Sequence, residues 1–328
     1  MTASRRRGTF SAVLVVCVVG GALAVWLGVN TREPRVASSA NARGVLTDAK
    51  ASGRKMVLFR TLEPKGQLAV APAGGGKPVY EQMTCDRAYF AGGGGLCVAP
   101  RKGLPGAYGA RVFGPDFRVR HELDMEGIPS RARVSPDGRY GTVTMFVTGH
   151  SYAAAGSFST GTTLIDMARG EKIADLEDFT VTRGDRQVTA ADMNFWGVTF
   201  ARDSDRFYAT LATGGKTYLI EGSVTRKVAR VIHENVECPS LSPDGKRVAY
   251  KHLTGDKERP WRLSVLDLST MRETRLAETR SVDDQAEWLN DGRVLYGVDG
   301  AVYAVPADGS GGPQRYLASA DSPSAVRW

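Results

Sequence analysis

Pro239-Ser240-Leu241-Ser242-Pro243-Asp244-Gly245-Lys246-Arg247-Val248-Ala249-Tyr250 decides the fold of this 328-residue chain. It reads as a short strand, a forced turn and a second strand of alternating apolar residues. Pro243 pre-sets φ for the second position of a type I turn, Asp244 suits the third, and Gly245 supplies the left-handed residue that re-enters the sheet. The unit recurs at Val134-Ser135-Pro136-Asp137-Gly138-Arg139-Tyr140 and, less sharply, at Trp288-Leu289-Asn290-Asp291-Gly292-Arg293-Val294. Phe200-Ala201-Arg202-Asp203-Ser204-Asp205-Arg206-Phe207 is a degenerate copy. A unit repeated at this interval signals a repeat architecture.

Outward from these turns, residues 54–328 read as strands of five to nine residues separated by Gly, Pro and Asp turns, with no sustained helical period. The first group has three strands, at 55–61, 67–72 and 78–83. Groups of four follow within 84–123, 130–176, 194–232, 239–276 and 286–318, and a lone strand at 324–328 ends the chain. An apolar residue precedes each turn (Val134, Phe200, Leu241, Trp288), and Trp328 fits the same slot, so the last strand is expected to complete the first group beside 55–61. Four-stranded sheets closed radially by such an overlap make a β-propeller, and six groups of about 47 residues fall in the range for blades.

The repeats containing Ser135-Pro136-Asp137-Gly138 and Ser242-Pro243-Asp244-Gly245 resemble those of TolB-like, WD-like six-bladed propellers. The resemblance covers 54–328, although the first two blades lack the Ser-Pro-Asp-Gly turn. It implies an exported domain that binds proteins. TolB itself works beside an outer-membrane lipoprotein and has an additional N-terminal domain, which this sequence does not match, and TolB is soluble, whereas this chain begins with an anchor-like segment.

That segment, 10–29, has Ser11 as its only polar side chain. At about 1.5 Å per residue it spans roughly 30 Å, a bilayer's hydrocarbon thickness. Arg5-Arg6-Arg7 before it favours a cytoplasmic N-terminus. The reading is residues 1–9 cytoplasmic, 10–29 an uncleaved signal anchor in the plasma membrane, 30–53 a flexible linker and 54–328 outside. The alternative is secretion after cleavage at Ala22-Leu23-Ala24. The linker is rich in Ala, Ser, Arg and Gly, and as a coil it would reach roughly 27 Å.

Export suits the cysteines. Cys17 falls in the apolar span, and Cys85 and Cys97 bracket the glycine run Gly92–Gly95. If that run turns a hairpin, the two face each other and form a disulfide in an oxidising compartment, leaving Cys238 a small core residue. The spacing, with no local histidine, is not a zinc motif.

The net charge of +8 does not mark a nucleic-acid platform, because residues 1–43 alone contribute +5 and leave 37 basic and 34 acidic residues in the folded part. Gly149-His150-Ser151-Tyr152-Ala153 resembles a nucleophile elbow, but its fifth residue is Ala and no α/β domain follows. His121, His150, His233 and His252 are scattered. Asp137, Asp244 and Asp291 are assigned to capping their own turns. Asp283-Asp284 and Asp203/Asp205 are paired carboxylates assigned to solvated loops. No catalytic, cofactor or metal residue is named. The expectation is an extracytoplasmic, membrane-anchored, monomeric, non-enzymatic module binding a protein or cell-envelope ligand. The alternative is a cell-envelope hydrolase or lyase with its site in the propeller funnel.

Overall fold

The structure is a computed structural model that describes residues 42–149 and 158–328. The described chain begins with helix α1 (Ala42–Ser52) and continues in strands β1 (Met56–Leu62), β2 (Lys65–Pro72) and β3 (Val79–Thr84). The second blade is β4 (Arg87–Ala91), β5 (Gly94–Pro100), β6 (Tyr108–Phe113) and β7 (Val119–Met125). The third is β8 (Ile128–Val134), β9 (Tyr140–Thr148), β10 (Ser159–Asp166) and β11 (Glu171–Asp175). After the 3-10 turn Leu176–Asp178 come β12 (Thr180–Arg183) and β13 (Arg186–Val188), then the fourth blade, β14 (Asn194–Phe200), β15 (Arg206–Thr213), β16 (Lys216–Ser223) and β17 (Val228–Glu234). The fifth is β18 (Glu237–Leu241), β19 (Arg247–Leu253), β20 (Trp261–Asp267) and β21 (Glu273–Arg275); the sixth is β22 (Glu287–Asn290), β23 (Arg293–Val298), β24 (Ala301–Pro306) and β25 (Gln314–Ala318). Strand β26 (Ala320–Ala325) returns to the first sheet, whose order is β26-β1-β2-β3.

The innermost strands β26, β4, β8, β14, β18 and β22 touch in a closed cycle, which makes a six-bladed propeller. Its core is a series of apolar layers, one between each pair of neighbouring blades. Phe195, Phe207 and Leu211 pack on Tyr140 and Leu164 between blades three and four, and Trp288 and Tyr296 pack on Leu263 and Val265 between five and six. Val57, Phe59 and Ala71 meet Leu295, Val302 and Ala304 across the closing seam. Because every blade is clamped on both faces, its middle strands are buried along most of their length, whereas the outer strands β3, β7, β17 and β25 are mostly exposed or half-buried.

The turns behave as their residues dictate. The Gly138 amide donates to Ser135 O at 2.9 Å and that of Gly245 to Ser242 O at 2.8 Å, with both glycines at positive φ. Each serine hydroxyl meets the turn aspartate (Ser135 Oγ to Asp137 Oδ1, 2.6 Å) and accepts the amide of the returning strand (Tyr140 N, 2.9 Å). Asp291 differs from expectation: its Oδ1 accepts the Asp244 amide of the preceding blade at 2.9 Å, because Asn290 already takes the Gly292 amide. Gly92 lies so close to the next blade that a Cβ would fall 2.0 Å from Gly138 N, which is why a bare glycine turn replaces Ser-Pro-Asp-Gly in the second blade.

Three readings of the sequence are corrected. First, the linker assigned to 30–53 contains α1, whose Leu46 and Ala49 are fully buried against Met56, Phe90 and Val326. Two anchors on an eleven-residue helix give too faint a period to read. The helix stops at Gly53 (φ +66), with Arg54 N returning to Ala49 O at 2.9 Å, a glycine C-cap. Second, the closing strand is antiparallel to β1 as expected but lies at Ala320–Ala325, and the slot opposite Val57 holds Ala325, not Trp328. The strand Ala-Asp-Ser-Pro-Ser-Ala has no β-former; Pro323 is tolerated because the innermost strand is a sheet edge that needs no donor on its axial side. Third, the fourth blade has six strands, since β12 adds parallel to β17 and β13 pairs with β12.

Segment 10–29 and residues 150–157, with His150 and Ser151, lie outside the described residues. Among the described residues no helix is long and apolar enough to cross a membrane.

Candidate functional site: the axial channel

Propeller channels are lined by alternate residues of the innermost strands, and here those positions are polar. Arg87 and Tyr89 on β4, Arg131 and Arg133 on β8, and Gln285 and Glu287 at β22 are i, i+2 pairs, each on one face of its strand. At mid-depth, Glu287 (1% exposed) binds three groups from three directions. Arg133 Nη1 approaches Oε2 at 2.5 Å, Tyr89 OH donates to the same oxygen at 3.1 Å, and Arg327 Nη1 donates to Oε1 at 2.8 Å. Arg133 also reaches Ser240 Oγ and Ala286 O, each at 3.3 Å, and its guanidinium stacks 4.4 Å from the centre of the Tyr89 ring. This knot joins blades two, three, five and six across the axis. Burial and the Glu287 charge push the Tyr89 phenol up. Burial acts against the Arg133 cation, but Tyr89 and Glu287 outweigh it and hold the guanidinium charged.

On either side of the knot the channel opens. At the end where the serine turns lie, a hollow of about 450 Å³ is bordered by Pro136, Phe200, Arg202, Leu241, Pro243 and Trp328. Trp328 is 38% exposed, with its ring 5.5 Å from Phe90 edge-on and Lys50 Nζ 5.3 Å above it. Its place is thus the rim of the hollow rather than the blade core.

At the opposite mouth, where the inner strands begin, a cavity of about 270 Å³ is bordered by Arg87, Arg131, Asp283, Asp284 and Asp321. Arg60 holds Asp321 with two bonds of 2.9 and 3.1 Å. The fully buried Lys251 reaches Asp283 Oδ1 at 2.8 Å and lies 4.0 Å over the Trp261 ring. Asp284 accepts three main-chain amides, from Gln285 (2.9 Å), Gly297 (2.9 Å) and Ser322 (3.1 Å). Burial, with Asp321 nearby, pushes its carboxyl up.

The carboxylates 283 and 284, assigned to a loop, are therefore brought to the channel with Asp321, whereas Asp203 and Asp205 cap turns of blade four through Arg206 N and Thr225 N. Of the histidines, His252 sits between Glu273 (3.1 Å) and Asn235 (3.1 Å), and His121 meets Ala168 O at 3.0 Å; neither lines the axis. Among the described residues no group of three or more His, Cys, Asp and Glu is placed to hold a metal ion. Cys85 and Cys97 form a disulfide with Cα atoms 5.5 Å apart, and Cys238 is a free, buried thiol. The bridge is not a direct cross-strand pair: Cys97 faces Ala88, and Cys85 sits at the bend before β4. Arg60, Arg87, Arg131, Arg133, Glu287, Asp321 and Arg327 were not singled out from sequence. The usable signal was Arg131-Ala132-Arg133, two charges at period two inside a short strand.

No protein-family model matches the sequence, and no curated protein is similar to it. Among solved structures, TolB from Acinetobacter baumannii superposes with a TM-score of 0.58 at 13% identity, over 86% of this chain and 70% of that one. The chain has a TolB-like propeller fold. A chain of the nidogen/laminin complex has the same architecture, with a TM-score of 0.55 at 9% identity over 83% of this chain and 98% of that one.

Proposed function

We propose that this TolB-like propeller is a non-enzymatic binding module, held outside the plasma membrane by the segment 10–29, that receives a protein partner at the turn-side mouth of its channel. The observation that carries the reading is the 450 Å³ hollow rimmed by Trp328, Arg202, Leu241, Pro136 and Pro243. Tryptophan and arginine are among the residue types that dominate binding energy in protein interfaces, and Trp328 sits edge-on against Phe90 while Arg202 Nε donates to Pro243 O at 2.8 Å, which lowers the ordering cost on binding. The TolB-like fold, and a fold neighbour taken from a complex of two proteins, support the same reading.

The test uses the full chain in intact cells. A photo-crosslinking residue at Arg202 should give a discrete protein adduct, and one at Val119 on the outer strand β7 should not. Arg202→Glu with the crosslinker at Pro136 should remove the adduct. A reporter active only in the cytoplasm, fused after Trp328, should be silent. Adducts at Val119 alone, or an active reporter, would overturn the proposal.

A further inference from the structure

The geometry points to a second binding site at the other mouth: Arg87 is placed to receive a single carboxylate from a peptide. Each carboxylate that borders this cavity is already engaged. Asp321 is held by Arg60, Asp283 by Lys251 with Arg131 Nη2 3.6 Å away, and Asp284 by three amides. Arg87 is the exception. Its Nε donates to Ser130 O and its Nη1 to Asp86 O at 2.7 Å, and among the described residues no carboxylate lies within 4.0 Å of it. The remaining N–H groups of Nη1 and Nη2 form an end-on fork, and the side chain borders both the 270 Å³ cavity and the smaller one behind it, against Tyr89 and Arg133. Such a fork matches a carboxylate with two parallel bonds.

The two main-chain carbonyls fix the guanidinium before any ligand arrives, so little side-chain entropy is lost on binding. Half-buried Arg87 also has unfavourable surroundings as a cation. Burial, then Arg131 and Arg60, outweighs the nearby Asp284 and Asp321 and pushes its pKa below the ordinary arginine value, and an anion on the fork would relieve that. The end-on fork offers two parallel donors to one carboxylate, and Asp283 and Asp321 on the same border disfavour a ligand of higher charge such as the phosphate dianion. A chain-end carboxylate and an acidic side chain have the same chemistry here, and both fit a cavity of this size. The site does not depend on the turn-side proposal, because the Glu287 knot lies between the two mouths.

Full-length protein in detergent at low ionic strength is titrated calorimetrically with four probes. These are acetyl-Ala-Ala-Ala with a free C-terminus, acetyl-Ala-Glu-Ala-amide, acetyl-Ala-Gln-Ala-amide and inorganic phosphate. One or both carboxylate peptides should bind and raise the melting temperature, and which of them binds tighter assigns the source. The neutral peptide should not bind. Arg87→Gln should weaken binding about tenfold or more, the loss expected when a charge-assisted fork is removed. Arg87→Lys, which keeps the charge and loses the fork, should fall between, and it carries the test if Arg87→Gln does not fold. Trp328→Ala should bind as the wild type does. Binding of the neutral peptide with equal affinity, phosphate binding tighter than either carboxylate, an Arg87→Gln affinity equal to wild type, or no binding by any probe would overturn the assignment. None of these outcomes touches the crosslinks at the turn-side mouth.

Discussion

Replacing Glu287 by glutamine keeps the shape of the axial knot and removes its only negative charge. Arg133, whose side chain is 5% exposed, would keep neutral acceptors only, the glutamine carbonyl with Ser240 Oγ and Ala286 O at 3.3 Å, and would lose its counter-charge. Taking one partner from a buried ion pair costs about 3–5 kcal/mol, because the survivor stays desolvated without its counter-charge. Arg327 is about one-third exposed, so its lost pair adds no more than about 1 kcal/mol. A loss of about 4 kcal/mol lowers the melting temperature by roughly 7 °C for a domain of this size. Arg133→Met alone leaves Glu287 with Arg327 and Tyr89 and should cost less. The double variant Arg133→Met/Glu287→Gln holds no enclosed charge and should recover at least about 2 kcal/mol relative to the sum of the singles. Calorimetric melting of the four proteins at pH 7 decides it. If Glu287→Gln melts within about 1 kcal/mol of wild type, or if the two substitutions add without coupling, the knot is not the clamp inferred here.

Removing the Cys85–Cys97 bridge by the double serine variant should cost about 3 kcal/mol on the loop-entropy view, and a reductant should lower the melting temperature of the wild type but not of that variant. Burial holds the Glu177 carboxyl up at about 7, against 4.5 for the free side chain. The folded state therefore keeps a proton that the unfolded chain has lost, and stability should fall between about pH 4.5 and 7 by up to roughly 3 kcal/mol; Glu177→Gln should flatten that fall in a melting series against pH, and an unchanged slope would refute the assignment. Leu46→Ala should cost about 2–5 kcal/mol because it opens a cavity under α1, whereas Trp328→Ala, at the solvent-facing rim, should cost less than about 2 kcal/mol in the same denaturation assay.

What could be read from the sequence was whatever local chemistry dictates. Ser-Pro-Asp-Gly forces a turn wherever it stands, and an apolar residue before the turn must face the neighbouring blade, so the two sharp repeats, with the weaker copies and the strand spacing, set the blade period. The same logic misplaced Trp328 by three residues, since an aromatic side chain is the obvious occupant of an apolar slot and Ala325 leaves little trace. Helix α1 was hidden because its burial comes from the seam it covers, not from its own period. The channel was hidden for a different reason. Arg133, Glu287 and Arg327 lie more than a hundred residues apart in part, and their meeting is a property of ring closure. Asp283 and Asp284 look like loop charges until Asp321 and Arg60 are brought beside them.

The pairing of β26 with β1 also sets an order in time. Every other blade can close on a hairpin made of neighbouring residues, but the first cannot be completed until residues 320–325 have left the ribosome and, if the chain is exported, crossed the membrane. Until then β1 offers a row of unpaired amides and carbonyls, the kind of edge that recruits strands from other chains. Its flank is not left bare, because α1 is made before it and buries Leu46 and Ala49 against Met56 and Phe90, residues of the first two blades. Val326, just beyond the last strand, completes the seat of Leu46 and Ala49, so the helix is fully packed only once the ring has closed.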